Sequence, residues 1–307
     1  ADKRYHVMKG EVELPHSKRK VTTWALFTNM EKNAWKKATD YINDAVYHYS
    51  LWTGDYPYNH ATAVDGALSA GGGMEYPNIT VIGEMGDARS LDRVIAHEVG
   101  HHWFYGILGS NERDHGWMDE GVNTFNEGRY MAVKYPPDSV KTGMQGNIGG
   151  LPINIGKIIG VPDLDESTLM DLGYRFNAVK KEDQPCDLPS KEFTQINYGV
   201  VMYGKTGMIL EYLQAYLGVE LYDKCAQAYF EKWKFKHPYP EDMKKVYEEI
   251  SGKDLSWFFS HMIPTTDQID YKVISCKKAT CANSFTGDCW EVKVKNKGGI
   301  NSPFPIS

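Results

Sequence analysis

Two histidines four residues apart, with a glutamate directly after the first, limit what this chain can be more than any other feature. In the run His97-Glu98-Val99-Gly100-His101 a helix puts both imidazoles on one side, where they can share one ion. Glu98 then stands beside the coordination position left open, where a bound water belongs. Eighteen residues separate His101 from Glu120, which opens a new helical stretch in Trp117-Met118-Asp119-Glu120-Gly121 and supplies a third ligand. Two histidines and a glutamate make a zinc set with one position free for chemistry. A surface histidine pair is the alternative, and the second half of the pattern at this distance makes it the poorer account.

His97, His101 and Glu120 are therefore expected to hold one Zn2+, which lowers the pKa of its water to about 7. Glu98 is expected to take the proton from that water and pass it to a leaving amine. Attack on a peptide carbonyl builds charge on its oxygen, which needs a donor besides the metal. Glu127, seven residues after Glu120 and on the same helix face, is placed to accept a hydrogen bond from a ligand imidazole. An exposed surface carboxylate is the competing reading of Glu127.

The rest of the composition narrows the class. At 307 residues the chain buries a sizeable core, as one large domain or two medium ones. A net charge of −6, with no basic stripe, argues against nucleic acid as a partner. No apolar run approaches the ~20 residues that cross a bilayer. Five cysteines, Cys186, Cys225, Cys276, Cys281 and Cys289, are too few for a disulfide framework. The last three admit one disulfide with one thiol left over, and packing is the simpler reading. The opening Ala1-Asp2-Lys3-Arg4 has neither initiator methionine nor signal pattern, and the closing residues complete no pattern, so the chain reads as an excerpt of a longer one. A soluble, exported protein, periplasmic or at the cell surface, is the expectation for its location.

Along the chain, residues 21–28 read as a strand, 31–51 as an amphipathic helix ended by Gly54 and Pro57, and 60–65 as a second strand. Residues 78–83, after the glycines Gly71, Gly72 and Gly73, read as a strand whose edge can pair with an extended peptide, or as a plain core strand. The metal helix is expected over 89–108 and its partner over 117–134. From Tyr135 to Glu192 the sequence is rich in Gly, Pro and Asp with no sustained period, and reads mostly as ordered loop over the cleft. Helices resume near Val200 and continue through 208–217, 220–233, 240–250 and 254–262. Period-two alternation after Ile269 predicts strands. The expected fold is therefore α+β, a small mixed sheet followed by helices over 1–268, then the start of a small β unit over 269–307.

Several motifs together resemble the gluzincin aminopeptidases, the family of alanyl and leucyl aminopeptidases and leukotriene hydrolase. They are the zinc motif with its eighteen-residue spacing, His102-Trp103-Phe104, Trp117-Met118-Asp119-Glu120-Gly121 and Gly72-Gly73-Met74-Glu75. The likeness extends to W-T-G-D-Y-P-Y (52–58), Y-G-K-T-G (203–207) and D-L-S-W-F-F (254–259), so it covers about residues 21–275. It implies a thermolysin-like catalytic domain that removes N-terminal residues from peptides. It gives Glu75 the substrate's free α-amino group, and Gly72, Gly73 and Met74 the groove wall. Tyr203 is the oxyanion donor it implies, with Tyr198 a nearby competitor. The chain departs from the family pattern at Tyr76-Pro77, where an asparagine is usual, and at Thr206, inserted before Gly207. The family's large N-terminal β domain and closing helical domain are not in this sequence. A zinc endopeptidase, or a zinc hydrolase of a non-peptide substrate, is the alternative activity. A non-catalytic binding module is disfavoured because ligands, base and tyrosine are all present.

Overall fold

The computed structural model describes residues 2–30, 32–68, 72–136, 145–148, 151–154, 166–280 and 287–304. It opens with a five-stranded mixed sheet. Strands β1 (His6–Glu13) and β2 (Lys20–Phe27) form an antiparallel hairpin, and β3 (His60–Asp65) joins β2 in parallel. Next to β3 lies β5 (Ile79–Ile82), also parallel, and the short β4 (Gly73–Met74) closes the far edge antiparallel to β5. In β2 the residues Val21, Thr23, Ala25 and Phe27 alternate inward, the period of a strand with one face on a core. β1 escapes sequence reading because it buries little: of its eight residues only Val12 is fully inside.

Helix α1 (Ala38–Trp52) follows a 3-10 turn over Ala34–Lys37, so the helix starts later than the sequence pattern predicts. Its residues Tyr41, Ile42, Ala45, Val46 and Tyr49 recur at helical spacing and are buried. Helix α2 (Ala88–Gly100) is capped by Asp87, whose carboxylate accepts from the amides of Arg89 (2.9 Å) and Ser90 (3.0 Å). The expected metal helix is too long at its far end. Regular helix stops at Gly100, His101 is its C-cap, and 102–108 turn back on themselves with Trp103 Nε1 donating to Gly54 O at 2.8 Å. Thus the His-Trp-Phe stretch packs on the loop over 52–58. Tyr56 makes the second contact, its hydroxyl hydrogen-bonded to His102 Nδ1 at 2.9 Å. A Cβ on Gly100 would overlap both Asn123 Oδ1 and the Tyr49 ring, so a glycine lets α2 lie close to its neighbours.

A 3-10 turn (Gly116–Met118) leads into α3 (Glu120–Lys134). The segment read as loop from Tyr135 to Glu192 contains the hairpin β6 (Gln145–Ile148) and β7 (Leu151–Asn154) and a fourteen-residue helix, α4 (Glu166–Val179). Glycine and aspartate inside α4 weaken its periodic signal, and tertiary packing supplies what propensity lacks. Then come a π-helical stretch (Tyr198–Lys205), α5 (Thr206–Leu217), α6 (Val219–Trp233) and α7 (Pro240–Ser251). Among the described residues no helix is long and apolar enough to cross a membrane. Among the described residues, strands β8 (Tyr271–Ala279) and β9 (Cys289–Asn296) pair only with each other, antiparallel, in a sheet of their own. Cys186, Cys225 and Cys276 are free thiols and Cys289 is in a disulfide; Cys281 and Gly71 lie outside the described residues.

The core is one apolar cluster shared by the sheet and the helices, and α2 runs through it with Leu91, Ile95, Ala96 and Val99 buried. Truncating Ile95 to alanine should destabilise the protein by roughly 2–5 kcal/mol. The exposed Val133→Ala on α3 should cost less than about 0.5 kcal/mol. Denaturant unfolding of the two variants checks the contrast.

Candidate active site

The last turn of α2 and the first turn of α3 meet below the edge strand β4, and a cleft of about 560 Å³ opens there. His97 Nε2 and His101 Nε2 are 3.1 Å apart, and Glu120 Oε2 lies 3.3 Å from the first and 3.2 Å from the second. Four ligands held tetrahedrally at about 2.0–2.1 Å from one centre stand about 3.3–3.4 Å from each other. The three atoms therefore form one face of such a tetrahedron, and the donor set fits a divalent metal.

The imidazoles are turned the right way for this. His97 Nδ1 donates to Glu127 Oε2 at 2.9 Å, and His101 Nδ1 donates to Asp119 Oδ1 at 2.6 Å and lies 3.1 Å from Phe104 O. With both Nδ1 atoms donating, the imidazoles in their neutral form turn both Nε2 lone pairs toward Glu120 Oε2, a buried oxygen that then has no donor. An ion answers that deficit. Electrostatics agrees: burial alone raises the Glu120 carboxyl, but the two imidazoles outweigh it and hold it below the carboxylate range. Burial lowers His97, and the Glu120 and Glu127 carboxylates overcome this and hold it up at about 10. The same field draws a metal cation.

Glu127 is in turn fixed by Arg93, one α-helical turn before His97, in a short ion pair. Asn123 donates from Nδ2 to His97 O at 2.7 Å and accepts from Tyr49 at 3.1 Å, so the last turn of α2 is tied to α3 and α1 together. Asp119 and Asn123 escape sequence reading. Asp119 occupies the cap position of α3 yet makes no cap hydrogen bond, its carboxylate being used on His101. A polar residue at a cap position reads as a cap, and only the contact across eighteen residues shows otherwise.

Glu98 lies in the cleft wall under β4. A Cβ on Gly73 would overlap its carboxylate, so glycine is what lets the backbone pass over it, while Gly72 takes a left-handed φ of 68°. Burial, with help from Glu75 and Glu120 and against the two histidines, pushes the Glu98 carboxyl up to about 7. The half-buried Glu75 has an oxygen within 4.8 Å of the ligand-type atoms of both Glu98 and His101. Met74 is held by pairing with Val81 and by Thr80, whose hydroxyl donates to Met74 O at 3.1 Å. The strand expected to offer a free edge, β5, is paired on both sides; β4 has taken that position.

Tyr198 and Tyr203 both line the cleft. The wide π-helical turn brings two tyrosines five residues apart to nearby positions, with ring centroids 5.9 Å apart. Thr206, the inserted residue, donates its hydroxyl to Val201 O five residues back at 3.2 Å, the reach of that turn. Tyr203 stacks on His97 at 6.2 Å and 22°, and burial together with the Glu120 charge raises its hydroxyl above the ordinary tyrosine range. Tyr198 is 39% exposed and farther toward the rim.

A three-atom face suited to a metal, a carboxylate pushed up toward neutrality and a half-buried phenol thus meet in one cleft. The family follows from comparison: the Peptidase family M1 domain matches residues 41–262, and the chain belongs to that family. Among curated relatives, Aminopeptidase M1-A of Oryza sativa subsp. japonica is 27% identical over 188 residues, covering 60% of this chain and 18% of that protein. Aminopeptidase N of Lactococcus lactis subsp. lactis is 26% identical over 216 residues, covering 69% and 23%. The chain thus spans about a fifth of the length of these relatives. An M1 zinc metallopeptidase from Deinococcus radiodurans shares the fold with a TM-score of 0.59 at 13% identity, over 85% of this chain and 52% of that one.

Replacing Asp119 by alanine removes the carboxylate that accepts from His101 Nδ1 and leaves His97, His101 and Glu120 themselves unchanged. Metal affinity should fall roughly 10–100-fold, read by competition against a chromogenic chelator.

Proposed function

We propose that this chain is the catalytic part of a zinc aminopeptidase, with one Zn2+ held by His97, His101 and Glu120 and peptides with a free N-terminus as substrate. The observation that carries the reading is the triangle of ligand atoms, 3.1, 3.2 and 3.3 Å on its sides, with the Glu75 carboxylate beside it. Zinc bound there supplies Lewis acidity, which makes water nucleophilic near neutral pH and polarises a carbonyl.

The side chains divide the remaining work. Glu98, with its carboxyl near 7, takes a proton from water and returns it to the departing amine. Tyr203 keeps its proton at neutral pH and donates it in a hydrogen bond to the carbonyl oxygen as charge develops. Glu127 and Asp119 hold the ligand imidazoles in one orientation. Glu75, beside Glu98 yet open to the cleft, receives the α-ammonium and so sets the first residue's carbonyl over the site. Gly72, Gly73 and Met74 present the β4 backbone to the substrate. The sheet-then-helices arrangement supports a thermolysin-like description of residues 1–268. The self-paired β8 and β9 support a second β unit beginning at 269.

Mass spectrometry of one peptide, free and N-acetylated, with and without chelator, tests the activity. Stepwise loss of single residues from the free peptide alone, stopped by chelator, is expected; internal cuts in both forms would replace the reading with an endopeptidase. Among variants, Glu98→Gln should keep zinc and lose roughly 10²–10⁴ in kcat. Tyr203→Phe should lower kcat by roughly 10²–10³ with KM little changed. If Tyr198→Phe behaves that way instead, the oxyanion role passes to Tyr198.

A further inference from the structure

Most acidic groups lining the cleft have an assigned partner or task. Glu120 faces both imidazoles, Glu127 is held by Arg93 and His97, and Asp119 by His101. Glu98 and Glu75 serve the reaction and the α-amine in the reading above. Glu112 also lines the cleft and has no such task. Its side chain is 42% exposed, and the cation nearest it among the described residues is Arg113, at 3.7 Å with 85% of its own side chain exposed. A pair at that separation and exposure contributes little and leaves the carboxylate open to another cation.

The loop that carries Glu112 is fixed. Asn111 accepts from Arg113 N at 3.1 Å, donates to Asp114 at 2.8 Å and accepts through its carbonyl from His115 N at 2.8 Å. Ser190 clamps the loop from across the cleft, its hydroxyl donating to Glu112 O and its amide to Arg113 O, each at 2.8 Å. His115 Nδ1 meets Asp187 Oδ1 at 2.7 Å. Glu112 is therefore offered to the cleft from a rigid support.

Glu112 and Glu75 line the same cleft, and the Tyr105 phenol lies within electrostatic reach of both. In an N-terminal residue the α-amine and the side chain leave the same carbon. With the amine at Glu75 and the carbonyl at the metal face, the side chain is directed to the wall beside Glu75. A lysine or arginine lays its apolar stem along such a wall and carries its charge to the end.

We propose that Glu112 is a specificity-determining residue that selects a cationic side chain on the substrate's N-terminal residue. The proposal rests on the aminopeptidase reading, since it takes the amine to be at Glu75. Arg113, 85% exposed, yields to the substrate's cation.

The test uses the zinc-loaded chain, with arginyl, lysyl, leucyl and glutamyl substrates bearing one leaving group. The arginyl-to-leucyl ratio of kcat/KM should exceed one in the wild type and fall about tenfold or more in Glu112→Gln, a tenfold change being one charged contact's worth of discrimination. Glu112→Arg should move preference toward the glutamyl substrate. A ratio that Glu112→Gln leaves unmoved, or a wild type that prefers leucyl or glutamyl substrates, overturns the proposal and leaves the aminopeptidase reading intact. No cleavage of any of these substrates overturns the aminopeptidase reading itself. Glu112 is then decided by calorimetry on the Glu98→Gln variant. Tighter binding of argininamide than norleucinamide, equalised by adding Glu112→Gln, supports the selection, and equal affinities without it overturn it.

Discussion

The site depends on how α2 is fastened to α3. His97 and His101, two of the proposed ligands, stand at the end of one helix and Glu120, the third, on the first turn of the other, so any slip between them separates the three atoms. Polar contacts at both ends prevent it, besides the bonds Glu127 makes with Arg93 and His97. At the far end Asp92, fully buried on α2, accepts from Tyr130 at 2.6 Å, from Tyr135 at 2.7 Å and from Lys134 at 2.8 Å, the first and last on α3. At the near end Asn123 holds the carbonyl of His97. Buried hydrogen bonds to a charged acceptor are stronger than neutral ones and costly to leave unmade, so the two helices have one register rather than several. Apolar packing between them sets the distance, and these contacts set the phase.

Local rules are broken where the chemistry is. Asp119 gives up capping α3 in order to orient His101, and Glu120 Oε2 is buried without a donor. The stretch over 198–205 winds wider than an α-helix and so turns two tyrosines toward the same cleft. Each departure costs stability locally, and the apolar cluster running from the sheet through the helices offsets it. The pattern is that of a rigid scaffold holding a small number of unsatisfied groups at fixed distances.

What the sequence discloses follows from this division. The proposed ligand set is legible because His97 and His101 stand four residues apart, a relation helical geometry brings to one side, and Glu120 opens the next helix. The strands β2, β3 and β5 show through their alternation and burial. Residues acting across tertiary contacts do not show: Asp119 resembles a cap, Asn123 a helix-surface amide, and Glu112 one of many loop carboxylates. β1 stays hidden because a half-exposed edge strand needs little apolar patterning, and α4 because its glycine and aspartate argue for loop. The sequence motif favours Tyr203, and Tyr198 competes for a structural reason, since the π-helical turn brings both to the cleft.

The two-residue β4 carries one more consequence. At about 3.3 Å per residue, its backbone spans little more than a single dipeptide unit, and on its inner side it presses on Glu98 through Gly73. On the proposed aminopeptidase reading, an extended chain lying along it would be gripped over that length and no farther, so main-chain pairing at this edge would read the start of a peptide and leave discrimination by length to surfaces beyond the sheet.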